Sequence, residues 1–130
     1  MSLISLSKNC TAQVWRYSET DNQTKIILYG QTPTDAFIGD PRGPRGPMPY
    51  PGVPLDLGNG DDAPTDVICF DVPTTISEKL GLKQGDLITI TGATGQKNGN
   101  YRIIRDPISN DPFFGFGDTR YRCYVRNVNA

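Results

Sequence analysis

"CTAQVWRYSETDNQTKIILYG", residues 10–30, holds two apolar runs separated by polar turn material. In the first run Ala12 and Val14 fall on one side, and Gln13, Trp15 and Tyr17 on the other. Successive side chains of an extended backbone point to opposite faces, so this period of two predicts a strand. "ETDNQ" has turn composition, and "TKIILYG" (24–30) resumes as a second strand. Residues 10–30 therefore read as an antiparallel hairpin. Both of its faces carry large apolar residues. One face belongs to the core, and the other meets a partner or a later segment of the chain.

Working outward, "DVICFDV" (66–72) sets Val67, Cys69 and Asp71 opposite Ile68, Phe70 and Val72. "KQGDLITITG" (83–92) is a turn running into a strand with Leu87, Ile88 and Ile90 apolar, and "YRIIRD" (101–106) is its return. Between them, Asn98-Gly99 is a strong hairpin signal. "RYRCYVRNV" (120–128) sets Tyr121, Cys123 and Val125 opposite Arg120, Arg122, Tyr124 and Arg126. A further short strand is expected around Ala36–Ile38, while 31–65 otherwise lacks periodicity and 107–119 reads as an irregular loop. "TTISEKLGL" (74–82) predicts one or two helical turns. Thr74 or Thr75 would cap them, Ile76 and Leu80 would share a face, and Gly81 would end them. About six strands and a helix too short to cover a sheet predict a mainly β fold, a small antiparallel barrel or sandwich. A chain of 130 residues suits one domain, 1–130.

Composition narrows the function classes. There is no histidine, which removes the commonest general base and metal ligand and every Ser/His or Cys/His arrangement. The chain reads as non-enzymatic, with no cofactor and no metal. Cys10, Cys69 and Cys123 show no zinc-ligand spacing and read as small buried hydrophobes in a reducing compartment. The opening residues lack a signal-peptide core and no run reaches membrane-spanning length, so a soluble protein without membrane contact is expected. Charge is balanced overall but not along the chain. Residues 1–96 hold seven basic and eleven acidic groups, and residues 97–130 hold six and three. Such a bipolar chain can stack head-to-tail or dock on acidic partners.

Between the second strand and "DVICFDV" lies "GDPRGPRGPMPYPGVPLDLGNGDD" (39–62). Its two Gly-x-x triplets end where Pro49 stands in place of glycine, so a collagen helix is excluded. Polyproline II character remains, at about 3.1 Å per residue. Closing a loop of about 36 residues costs only about 1.6 kcal/mol more than closing one of about 6. Prolines also lower the cost of ordering on contact, because φ is already restricted. Residues 39–65 therefore read as an extended partner-binding arm, with Arg42 and Arg45 offering charge and Met48 and Tyr50 apolar contact.

Other glycine-rich stretches fail on spacing. "GATGQKNG" (92–99) lacks the phosphate-loop order of glycine, lysine and following helix. "DLGNGDDAPTD" (56–66) lacks the alternating acids and terminal glutamate of a calcium loop. "YRIIR" and "RYRCYVRN" offer a basic, aromatic interaction face of Arg102, Arg105, Arg120, Arg122, Tyr124 and Arg126, of the kind that binds single-stranded nucleic acid on OB-like barrels.

"KQGDLITITGATGQKNGNYRIIRD" (83–106) resembles the second half of small phage head–tail joining proteins, also called head-closure or stopper proteins. The shared pattern is the Gly85-Asp86 turn, the alternating strand Leu87–Thr91, a short turn, then Tyr101-Arg102-Ile103 and Asp106. The N-terminal hairpin and the long loop before the third strand are also similar to that family. The resemblance implies a homo-oligomeric ring in the virion neck, made in the host bacterial cytoplasm. Such a ring would contact the portal or an adaptor on one side and a tail protein on the other, and touch packaged DNA through a loop that closes the channel. A capsid decoration or minor structural protein is the alternative within the same class.

Overall fold

The alternation of residues 10–17 becomes a strand, and the computed structural model pairs it on both sides within a closed sheet. Residues 8–39, 64–93, 97–110 and 118–128 are described. The elements are β1 (Cys10–Tyr17), β2 (Lys25–Gly39), β3 (Asp66–Pro73), α1 (Thr74–Leu80), β4 (Leu87–Thr91), β5 (Gly99–Ile103), β6 (Ile108–Asn110) and β7 (Asp118–Asn127). Strand order is β3-β2-β1-β4-β5-β7, and β7 pairs back onto β3 to close a six-stranded antiparallel barrel. The short β6 is an extra strand that lies along β7. The mainly β expectation holds, in its barrel form, and closure leaves the central sheet without terminal edges.

Parity decides what fills the barrel. Ala12 and Val14, Ile68, Phe70 and Val72, Ile88 and Ile90, Tyr101 and Ile103, and Tyr121, Cys123 and Val125 form one buried cluster. Within it Phe70 lies between two tyrosines. Its ring stacks on Tyr29 at 6.2 Å and on Tyr121 at 5.6 Å between centroids, tying β2, β3 and β7 together. The second apolar face of β1 is met by a later segment, as expected. Trp15 is buried there, donates from Nε1 to the Thr89 hydroxyl on β4 at 2.9 Å, and carries Lys25 over its ring.

Local reading erred where geometry departs from two-residue periodicity. β2 does not stop at Gly30 but runs on to Gly39. Its pairing jumps from Val14↔Tyr29 to Ala12↔Thr34, so a bulge absorbs the extra residues and erases the alternation. Gly30 sits in that bulge at φ 84°, and a Cβ there would meet the Ala12 carbonyl oxygen at 2.8 Å. Pro73, not a threonine, occupies the N-cap position of α1, with no side-chain cap hydrogen bond. The strand runs directly into the helix, and proline already fixes φ for the turn. Gly81 ends it in the left-handed conformation, as read. Leu80 is buried but Ile76 is 43% exposed, because only the C-terminal end of this short helix reaches the core. The β4–β5 connection is longer than the tight turn that Asn98-Gly99 announces. Asn98 instead closes it with its side chain, accepting from Ala93 N at 2.8 Å and donating to Ala93 O at 3.2 Å. Part of the expected loop at 107–119 is strand, namely β6 and the start of β7.

The β1–β2 turn is organised by Asp21. Its carboxylate accepts from the Thr24 hydroxyl at 2.6 Å and from the backbone N–H groups of Gln23 and Thr24 at 2.9 and 3.0 Å. The Thr24 hydroxyl, then these amides, lower its pKa from 3.8 to about 2. A depressed folded-state value means that this contribution to stability is present above the ordinary carboxylate range and is lost as pH falls through about 2. Carboxyl NMR should find Asp21 titrating near 2, and Thr24→Val should move the midpoint toward 3.8.

Candidate functional site

Three surfaces are built by side chains far apart in sequence. The first is the end of the barrel where the proline-rich segment leaves and returns. Gly39 is paired with Val67, so the 26 residues between Gly39 and Asp66 start and finish on neighbouring strands. Both ends are pinned. The Asn9 amide donates to Ile38 O at 2.8 Å and accepts from Ile38 N at 2.9 Å. Thr65 N donates to Val125 O at 2.9 Å, and Asn127 N donates to the Thr65 hydroxyl at 3.0 Å. Next to Thr65, buried Asp66 is held by Lys97 at 2.5 Å. Arg42, Arg45, Met48 and Tyr50, read as arm contacts, lie outside the described residues, as does most of the acidic stretch 56–66.

The second surface is the outer face of β3, β7 and β5. Outward parity on β7 brings Arg120, Arg122, Tyr124 and Arg126 to it. Register sets Arg126 opposite Arg102, Arg122 opposite Cys69, and Arg120 opposite Asp71. Arg105 lies with its guanidinium carbon 5.6 Å from the Tyr124 ring centroid. The five arginines therefore share one side of the barrel, but they are not equivalent. Arg120 donates from Nε to Asp71 Oδ1 at 2.9 Å and from Nη2 to Oδ2 at 3.4 Å, and Asp71 is buried. That hydrogen bonding raises the guanidinium's already high pKa. Burial without the pair would leave an uncompensated charge, so Arg120 is committed to the fold. A nucleic-acid track on this face would have to do without it.

The third surface was not legible beforehand. A cleft of about 400 Å³ lies between the end of β1, the turn at 83–86 and β5, lined by Arg16, Tyr17, Glu19, Lys83, Asp86 and Arg102 among others. Its floor is an ion pair. Arg16 Nη2 donates to the buried Asp86 carboxylate at 2.8 Å and to Gly81 O at 2.8 Å, and Asp86 also accepts from Lys83 N at 2.9 Å. Arg16 Nε is buried without an acceptor. Asp86 belongs to the Gly-Asp turn quoted above, where Gly85 adopts φ 97°. The partner, Arg16, stands 70 positions upstream and gives no local signal.

The three cysteines are free. Cys10 and Cys123 are buried, Cys69 partly so. Burial raises all three thiols, Cys10 to about 11, so none is a thiolate near neutral pH. Among the described residues no three acidic or cysteine side chains are grouped to hold a metal ion, and no helix is long and apolar enough to cross a membrane. Comparison with family models, with curated proteins and with solved structures finds no match.

Proposed function

We propose that the protein is a structural subunit of a bacteriophage neck, one copy of a ring that joins the portal to the tail and helps close the DNA channel. One observation carries the reading: a closed barrel whose 26-residue β2–β3 connection starts and ends on paired strands. A long connection set at one end of a closed barrel can reach a neighbour or a channel without disturbing the core. The resemblance of residues 83–106 to head–tail joining proteins supports the same reading. Small contacts suffice in a ring, because each repeats around the axis.

Purified protein is expected to form a ring of fixed stoichiometry on its portal complex, measured by mass and by electron microscopy of the mixture. Failure to bind portal, adaptor and tail proteins alike would overturn the proposal. Binding over the whole capsid shell, rather than at one vertex, would assign the chain to capsid decoration instead.

A further inference from the structure

We infer that the cleft between the end of β1, the 83–86 turn and β5 is a docking site for an acidic segment of a partner polypeptide. Most cations whose side chains are described are already engaged. Lys8 pairs with Asp35, Lys97 with Asp66, Arg16 with Asp86 and Arg120 with Asp71. Lys25 binds Gln13 and covers Trp15, Arg105 covers Tyr124, and Arg122 and Arg126 have contacts of their own. Lys83 and Arg102 are the exceptions: among the described residues their side chains have no hydrogen bond, ion pair or ring contact, and both line this cleft.

The two unengaged charges stand over a fixed floor. Asp86 neutralises Arg16 and holds it in place, so the floor cannot fold up to satisfy Lys83 or Arg102. With Glu19 on the rim, the cleft holds three cations and two carboxylates, a surplus of one positive charge. That balance suits one or two carboxylates presented by a peptide, for which the Arg102 fork and the Lys83 ammonium are complementary donors. It does not suit a phosphodiester backbone, which needs an unbroken basic track and would run against Glu19. Tyr17, 45% exposed at the cleft edge, supplies an apolar wall for the stem of an acidic side chain. The inference does not rest on the neck reading, since any acidic partner would satisfy it.

The chain has a single tryptophan, and its ring lies 5.0 Å from that of Tyr17, so Trp15 fluorescence reports on the cleft through Tyr17. Titration with hexaglutamate at low ionic strength should give a saturable change. Lys83→Ala and Arg102→Ala should each weaken binding about three- to fivefold, as expected for exposed charge pairs, and the double variant more than tenfold. Both side chains are unengaged, so the variants should fold normally, which circular dichroism checks. Lys8→Ala, at the far end of β1, should leave affinity unchanged. Absence of saturable binding would overturn the inference. So would an equal loss in Lys8→Ala, which would mean diffuse charge attraction. Tighter binding of a thymidine oligonucleotide than of hexaglutamate at Lys83 and Arg102 would replace the peptide with nucleic acid and overturn it as well.

Discussion

Phe70→Ala is expected to remove about 3–5 kcal/mol of folding stability, the usual cost of truncating a buried aromatic residue. Phe70 is fully buried on β3, and its ring is held between Tyr29 and Tyr121. The loss has two parts: the transfer of the ring from the core, and the cavity left between two tyrosines anchored on different strands. Because Tyr29 and Tyr121 sit on β2 and β7, collapse into the space would require both flanking strands of the barrel to move. Domains of this size are stable by only about 5–15 kcal/mol, so the variant should lose a large share of its stability. Urea denaturation should show a lower midpoint at an unchanged slope. Ile76→Ala is the control: on the exposed face of α1 it should change stability by no more than about 0.5 kcal/mol. A cost for Phe70→Ala below about 1 kcal/mol would mean that the stack does not hold the barrel shut.

Deleting residues 41–60 is expected to abolish ring assembly while leaving the barrel folded. The shortened connection, 40 and 61–65, need only bridge from Gly39 to Asp66, and Gly39 is paired with Val67 at a spacing of about 5 Å. Shortening from 26 to 6 residues lowers the entropic cost of closure by about 1.3 kcal/mol, so stability should hold or rise slightly. No member of the buried cluster of described residues is removed. Cooperative unfolding should therefore persist, while sedimentation and electron microscopy with the portal complex should show the ring lost. Loss of cooperative unfolding would make the segment part of the barrel's support. Intact assembly would remove it from the interface and take away the main support for the neck reading.

Most of the strand core was legible from side-chain parity. Ala12 and Val14, Ile68, Phe70 and Val72, and Tyr121, Cys123 and Val125 were assigned to common faces and all lie in the core. Parity failed in β2 between Tyr29 and Thr34, because a bulge shifts the register and breaks the period-two alternation there. It also failed for Ile76 and Leu80. A helix of under two turns touches the core at one end, whatever its spacing predicts.

For the interaction surfaces the division is sharper. The face carrying Arg102, Arg120, Arg122 and Arg126 could be read from "YRIIR" and "RYRCYVRN", since outward parity is local. That Arg120 is occupied could not, because Asp71 becomes its neighbour only when β3 pairs with β7. The cleft depends on more distant closure still, bringing together Arg16, Lys83 and Arg102 from three separate stretches. The sequence by itself determined the mainly β class, the faces of most strands, the lack of histidine chemistry and the presence of a long connection before β3. These depend on neighbours two residues apart or on composition. Tertiary structure alone decided that the sheet closes, where and over what length that connection is anchored, which arginines are spent on buried aspartates and which two cations stay unengaged by the described residues. Those outcomes depend on strand pairing between residues tens of positions apart, and no local pattern encodes that register.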